Sequence, residues 1–135
     1  MEHVQNPERI VEEMLRVLKS GGKVYSDVDF MTGFHASPFD FNRMTTMGLR
    51  KLFEEYDDVR IIIGSGPTSA LLWIFQEWLA MILSLGIKQL YKIFYLIIMA
   101  LTFPIKYLDV LLQYHPMAEN ISASFIVTAK KREIS

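Results

Sequence analysis

Cysteine is absent from the 135 residues, and neither sign of charge is in excess. Without cysteine the chain has no disulfide framework, no zinc–thiolate site and no thiol nucleophile. The formal net charge is −1, from 14 Lys and Arg against 15 Asp and Glu, whereas nucleic-acid binders need a basic surface to neutralise phosphates. Residues 1–6 are mostly polar, so we expect no secretory signal. What is left is one domain, or part of one, that does not bind nucleic acid.

The residues that are present divide the chain into parts of different character. Hydrophobic residues make up 51% and aromatic residues 13%, with a mean hydropathy of +0.22, which is too apolar for a disordered chain. Residues 1–60 hold 11 Asp and Glu and 8 Lys and Arg, as expected of a soluble α/β protein. Residues 61–118 are more apolar than a protein surface usually is. Their only charged side chains are Glu77, Lys88, Lys92, Lys106 and Asp109.

Apolar periodicity predicts an alternation of helices and strands. The first helix is predicted over residues 7–18, with Asn6 as its N-cap, Pro7 in its first turn and a glycine available for a left-handed C-terminal cap. A long ordered loop is predicted over 29–44. Further helices are predicted at 45–56, 68–86, 88–101 and 104–114, and strands at 23–28, 59–64 and 121–129. This order indicates an α/β fold, and three strands suggest the second half of a larger doubly wound domain.

Several phrases of the sequence match a known pattern in order. They are Glu2-His3-Val4 with Asn6-Pro7-Glu8, then Arg16-Val17-Leu18-Lys19-Ser20-Gly21-Gly22, then Phe30, Gly33, His35, Pro38, Asp40, Arg43, Thr45 and Gly48-Leu49, and finally Pro104 with Lys106-Tyr107-Leu108-Asp109. Together they resemble the class I S-adenosylmethionine-dependent methyltransferases, in the subfamily with the pattern F-x-x-G-x-H-x-x-P-x-D-x-x-R-x-T-x-x-G-L. Ser20 stands where proline is commoner. The resemblance covers essentially the whole chain.

The resemblance implies the C-terminal half of a Rossmann-like methyltransferase sheet, with an apolar helical insertion before the last strand. It implies S-adenosylmethionine as cofactor and a small-molecule or lipid-like methyl acceptor. The family's glycine-rich cofactor loop is missing from this sequence, because the pair Gly64-Ser65-Gly66 is followed by Pro67 and falls after the wrong strand. We therefore expect incomplete cofactor binding by this chain, and the internal-looking motif at residue 2 leaves open whether Met1 is the natural start.

The loop over 29–44 carries the predicted site. His35 is the catalytic candidate, positioning or deprotonating the acceptor. Phe30, Asp40 and Arg43 are candidates for substrate binding, although Asp40 and Arg43 are spaced to pair with each other and fix the loop. The alternative for all of them is loop architecture.

Other candidate residues lie at the start of the chain. Glu2 and His3 are predicted to contact the cofactor at the edge of the sheet where ligands bind; the alternative is an ordinary loop preceding a helix. No metal site is predicted, because three scattered histidines without cysteine form no ligand cluster in the sequence.

Three parts of the chain are expected. Residues 1–67 belong to the methyltransferase core, 68–118 form the helical insertion, and 119–135 contain the last strand and a basic tail. The insertion is a lid over the sheet, a membrane-surface element or a membrane span; its uncharged runs, 78–87 and 93–105, are shorter than a span requires.

Two other functions remain open. In the first, the chain is an inactive or split methyltransferase that needs an N-terminal half-domain partner. In the second, it is a membrane-associated interaction protein. The expected location is the cytoplasm, peripheral to a membrane in the cases where the insertion meets lipid.

Overall fold

The structure is a computed structural model that describes residues 1–35 and 38–133. Residues 36 and 37 of the predicted loop, and 134 and 135 of the predicted tail, lie outside the described residues. The α-helices are α1 (Pro7–Val17), α2 (Thr46–Leu52), α3 (Pro67–Ser84), α4 (Lys88–Thr102) and α5 (Asp109–Leu112). The strands are β1 (Lys23–Asp29), β2 (Asp57–Ser65) and β3 (Ser124–Lys130), and 3-10 helices cover Phe103–Leu108 and Ala118–Ile121.

The α/β class and the three predicted strands are confirmed, with differences at the ends of elements. The helix predicted over 104–114 is a 3-10 helix that continues into the short α5. The last strand begins later than predicted, at Ser124, because the residues before it form a 3-10 turn.

The helix caps predicted from the sequence agree with the structure at some positions and differ at others. Asn6 is the N-cap residue of α1 as predicted, but its side chain makes no hydrogen bond to the helix, and Pro7 occupies the first turn. Gly21 has the left-handed conformation, with φ of +71°, but it lies in the turn after α1 rather than at its C-cap. Thr45 caps α2, since its hydroxyl accepts from the N–H of Gly48 at 3.2 Å.

The sheet has the order β1-β3-β2 and is antiparallel. Lys23 lies opposite Lys130 and Asp29 opposite Ser124. A Rossmann sheet would be parallel, so the predicted doubly wound arrangement is not what these three strands form by themselves. The strands are antiparallel because the chain re-enters the sheet beside the end of β2. The N–H of Ala123 donates to the carbonyl of Ser65 at 2.9 Å, so β3 starts where β2 ends and runs back along it.

The chain divides into two compact units. Unit 1 comprises Met1–Phe30, Phe34–Gly64 and Ser124–Ser135, and it contains the sheet with α1 and α2. The phenolic O–H of the buried Tyr56 donates to the carbonyl of Val11 at 2.9 Å, which ties α1 to the end of α2. The apolar core of this unit is formed by Val11, Val24, Val28, Leu49, Phe53, Tyr56, Phe125, Val127 and Ala129.

Unit 2 comprises Met31–Gly33 and Ser65–Ala123. Its two long helices, α3 and α4, pack against each other. The buried positions of α3 are mostly small or polar, including Gln76, Ala80 and Ser84 at four-residue spacing. The Gln76 amide donates to the Thr102 hydroxyl at 2.7 Å across this interface. Small side chains allow the helices to approach closely and leave most large apolar side chains outside the interface.

Unit 2 therefore exposes an unusual amount of apolar surface. Leu101 is 75% exposed and Leu111 is 74% exposed. Within the described residues, one helical stretch, Lys88–Leu112, has the length and apolar composition to cross a membrane, and only 6% of its most apolar window is buried. A core helix of a soluble protein would be mostly buried, so burial inside this chain does not account for its composition.

Candidate functional site

The candidate site is built where β1 ends. Asp29 is the last residue of β1, and the loop that follows is held against the N-terminal segment. The carbonyl of Glu2 accepts from the N–H of Phe41 at 2.7 Å, and the amide of Asn42 donates to the carbonyl of Val4 at 2.6 Å. These bonds bring two segments together that are far apart in sequence.

Asp40 and Arg43 form the ion pair that their spacing predicts. The Arg43 guanidinium donates to both carboxylate oxygens of Asp40, with Nη2 at 2.7 Å from Oδ2. The side chain of Asp40 is only 3% exposed, and the same Oδ2 accepts from the backbone N–H of His35 at 3.0 Å. The guanidinium and this N–H hold the pKa of Asp40 well below its usual range. Asp40 is thus a fixed carboxylate that anchors the loop.

His35 lies between two carboxylates. Its Nε2 is 3.2 Å from Oδ2 of Asp29, and its Nδ1 is 3.9 Å from Oδ2 of Asp40. The imidazole is about one-third exposed, so one side of the ring is accessible to solvent. A carboxylate at one ring nitrogen fixes the orientation of the ring, which is the usual support for a histidine that moves protons or binds a ligand.

Glu2 and His3 lie beside His35. The rings of His3 and His35 meet edge to face, with centroids 5.4 Å apart. His3 Nδ1 is 2.6 Å from the carbonyl oxygen of Phe39, and its Nε2 is 3.4 Å from Oε1 of Glu2. Burial by itself raises the pKa of Glu2, but a backbone N–H and the N-terminal ammonium hydrogen-bond to its carboxylate and bring the net pKa below the usual value.

The structure places five of the six predicted site residues in one cluster, and the sixth against the core. Glu2, His3, His35, Asp40 and Arg43 are connected by the contacts above. Phe30 instead stacks on the buried Phe125, with ring centroids 5.4 Å apart, and packs on the core of unit 1.

Two residues of the cluster were not among the sequence candidates. Asp29 contacts His35, and Asn42 ties the loop to the N-terminal segment. The position of Asp29 at the end of a strand was the available signal, because ligands of α/β folds bind beyond the strand ends. No feature of the sequence distinguishes Asn42 as a residue of the site.

A cavity of about 530 Å³ lies in unit 1 beside the loop. Arg43, Met44 and Thr45 line it together with residues of α1 and α2. A volume of this size is within the range of small-molecule sites.

The glycines at 64 and 66 do not form a phosphate-binding loop. A Cβ on Gly64 would lie 2.7 Å from the Ser124 hydroxyl, so this glycine allows close packing within the sheet. A Cβ on Gly66 would lie 2.5 Å from the carboxylate of Asp109. That carboxylate already accepts from the N–H groups of Thr68 and Ser69, at 2.7 and 2.9 Å. The N-terminus of α3 is therefore occupied by the protein's own anion, and the residues present do not fit an adenosyl cofactor at this turn.

Comparisons with known proteins give no assignment. No family model matches the chain, and neither a curated protein nor a solved structure gives a significant match. The resemblance to the methyltransferases therefore rests on the sequence phrases alone.

Proposed function

We propose that this chain is the acceptor-binding part of an S-adenosylmethionine-dependent methyltransferase that acts on a small-molecule or lipid-like acceptor. The observation that carries the proposal is the cluster at the end of β1. The residues that resemble the family pattern, His35, Asp40 and Arg43, are joined there by hydrogen bonds and ion pairs. A shared pattern that folds into one connected cluster is better support than the pattern alone.

The roles of these residues follow from their contacts. Asp40 and Arg43 hold the loop, and the backbone bond from His35 to Asp40 fixes the position of the histidine. Asp29 orients the imidazole, which then positions the acceptor or takes its proton. Phe30 supports the loop from the core side.

The direction of the strands is compatible with a larger doubly wound domain. Since β3 is antiparallel to both neighbours, β1 and β2 point in the same direction. Two strands of the same direction joined through a helix are the repeating unit of doubly wound folds, and such folds often carry a reversed strand. The fold proposed here is this C-terminal part, completed by strands from another segment or partner.

The cofactor site is proposed to depend on residues outside this chain. Ser124 and Asp109 fill the space beside Gly64 and Gly66, and the other close pair, Gly21-Gly22, follows a helix rather than a strand. Glu2 and His3 would contribute contacts at the sheet edge, and an N-terminal half-domain partner would supply the glycine-rich cofactor loop and the ribose-binding carboxylate.

The test uses the protein isolated with its partners from its own cells in mild detergent. Incubation with methyl-tritiated S-adenosylmethionine and a total extract of lipids and small molecules is expected to label one extract component. His35→Gln is expected to reduce labelling about 100-fold or more if the imidazole takes a proton. His115→Gln is the matched control, because His115 belongs to unit 2 and the residues of the cluster belong to unit 1.

Two results would reject the methyltransferase. One is an isolated protein that neither binds the labelled cofactor nor transfers its methyl group; this favours the inactive remnant. The other is unchanged labelling in His35→Gln, which would remove the proposed role of the cluster.

A second candidate function is membrane association, and the surface of unit 2 favours it. The exposed helices carry Lys88, Lys92 and Lys106, whereas both carboxylates of the apolar segment have partners inside the unit. Glu77 accepts from the Tyr91 hydroxyl, and Asp109 caps α3. Apart from the exposed Glu119, the surface that unit 2 leaves to solvent is thus apolar and basic, which suits an anionic membrane surface, with the protein on its cytoplasmic side.

A further inference from the structure

Three residues with metal-binding side chains meet at the end of β1. One carboxylate oxygen of Glu2 and one ring nitrogen each of His3 and His35 lie within 4.8 Å of one another. All three residues are partly buried, and they come from positions 2, 3 and 35 of the chain. The fold has therefore assembled a set of ligands that is scattered in the sequence.

The hydrogen bond of His3 selects which of its nitrogens is available. A carbonyl oxygen only accepts, so the contact of 2.6 Å to Phe39 requires that Nδ1 carries the proton. In the neutral ring Nε2 is then an unprotonated acceptor, and it faces Oε1 of Glu2 at 3.4 Å. Two acceptors facing each other need a cation between them or a proton on the ring. Donation of the other N–H to a backbone carbonyl is the common support of metal-binding histidines.

His35 has the corresponding support from a carboxylate. Asp29 lies 3.2 Å from its Nε2, and carboxylate–histidine pairs of this kind orient the ring and increase its basicity as a ligand. Each of the two histidines thus has a separate orienting partner outside the set of ligands. A chance cluster of these residue types would not be expected to have an orienting partner for both histidines.

We propose that Glu2, His3 and His35 form a binding site for a divalent transition metal of the zinc type. Two imidazoles and one carboxylate are a known ligand set for such ions, whereas Mg²⁺ and Ca²⁺ prefer oxygen ligands alone. Three protein ligands leave a further coordination position for water or a substrate oxygen. Bonds of about 2.0–2.2 Å require the ligand atoms to move closer together by roughly 1 Å, which side-chain rotation on the loop and N-terminal segment can provide.

The site does not depend on methyl transfer. It is defined by the ligand atoms and their supports, and it makes a prediction about binding alone. If the chain is the acceptor-binding part of a methyltransferase, the open coordination position is the place where an acceptor oxygen would be held.

The first experiment titrates the full chain with Co²⁺, whose visible absorption reports a low-coordinate nitrogen and oxygen site. The expected result is one saturable site per chain that Zn²⁺ displaces. Glu2→Gln, His3→Gln and His35→Gln are each expected to abolish saturation, while His115→Gln leaves it unchanged. Asp29→Asn is expected to weaken binding by about 10- to 100-fold, as an orienting residue does. Circular dichroism without metal establishes that each variant is folded.

A second measurement needs no substitution in the cluster. Diethyl pyrocarbonate modifies accessible imidazoles, and peptide mapping gives the extent at each histidine. Zn²⁺ is expected to protect His3 and His35 together and to leave the modification of His115 unchanged.

Three outcomes would overturn the proposal. The first is the absence of saturable binding by the unaltered chain. The second is affinity that survives His35→Gln, because the N-terminal segment alone would then hold the ion. The third is an equal loss in His115→Gln, or equal protection of all three histidines, which indicates adventitious binding.

Discussion

At the scale of single residues, the glycines show how differently one residue type is used. Gly64 lies in β2 at a point where the side chains of Ser124, on the neighbouring β3, and of Asp27, on β1 beyond it, approach it. A Cβ there would lie 2.7 Å from the Ser124 hydroxyl and 3.1 Å from the Asp27 carboxylate. Gly48 lies in α2, and a Cβ there would make only an ordinary contact with Thr45 at 3.6 Å.

Alanine at these two glycines is expected to have opposite effects. Gly64→Ala should lower the free energy of unfolding by about 1–3 kcal/mol, because the strands must separate locally to admit the methyl group. Gly48→Ala should raise it by about 0.5–1 kcal/mol through helix propensity. Urea denaturation of both variants checks this. A neutral or stabilising Gly64→Ala would show that the close strand contact is not present in solution.

At the residue scale the candidate site was largely predictable. The motif residues His35, Asp40 and Arg43 and the terminal Glu2 and His3 were selected from the sequence, and they lie in one cluster. Asp29 was missed because its one signal, the position at a strand end, does not by itself distinguish a site residue from any other aspartate that ends a strand. The meeting of Glu2, His3 and His35 was missed because the spacing of residues along the chain says nothing about a loop that folds back on the N-terminal segment.

At the scale of elements, α3 depends on a carboxylate that is remote in sequence. Asp109, the first residue of α5, accepts from two N–H groups at the start of α3 and from the Ser69 hydroxyl at 2.6 Å. These N–H groups have no partner within the helix, and the helix dipole favours a negative charge beside them. Asp109 therefore joins the two ends of the apolar segment within unit 2.

Removal of this cap is expected to destabilise unit 2. Asp109→Ala should lower the free energy of unfolding by about 1–2 kcal/mol at neutral pH. Glu119→Ala, an exposed carboxylate of the same unit, is the control and should change it by less than about 0.5 kcal/mol. Denaturation followed by tryptophan fluorescence is suitable, because Trp73 and Trp78 both lie in α3. Equal stability of the two variants would contradict the capping role.

Because the cap is a carboxylate, the stability of unit 2 is expected to depend on pH in the acid range. Burial alone raises the pKa of Asp109, but bonds from the Ser69 hydroxyl and the N–H groups of α3 bring the net pKa below its ordinary value of 3.8. A lowered pKa means that the contribution is fully present above about pH 4 and is lost as the pH falls further. The stability difference between the unaltered chain and Asp109→Ala should therefore shrink as the pH falls from about 4 to about 2. A stability difference that stays constant over this pH range would contradict a cap that depends on the ionised Asp109.

At the scale of the whole molecule, the two units have different surfaces. Unit 1 has an apolar core and carries most of the charged side chains of the sequence, whereas unit 2 exposes apolar side chains along most of α3, α4 and α5. Leu101 in unit 2 and Met47 in unit 1 are almost equally exposed, at 75% and 76%. They provide a matched pair for asking whether unit 2 contacts lipid.

The protein is expected to sediment with vesicles of phosphatidylcholine and phosphatidylserine. Leu101→Ser should weaken this partition roughly 10-fold by removing apolar contact, while Met47→Ser leaves it unchanged. Lys88→Gln should weaken it about 5-fold on the anionic vesicles and little on pure phosphatidylcholine. Release by carbonate washing identifies surface attachment, and resistance identifies a span. Equal effects of Leu101→Ser and Met47→Ser would reject docking through unit 2.

The sequence by itself determined the α/β class, the positions of the three strands and the apolar character of residues 61–118, because these follow from local periodicity and composition. Only the tertiary structure decided the direction of β3, which depends on where the chain re-enters beside Ser65. It also decided that Asp109 caps α3 and that Glu2, His3 and His35 meet. These are contacts between distant segments, and no local pattern encodes them.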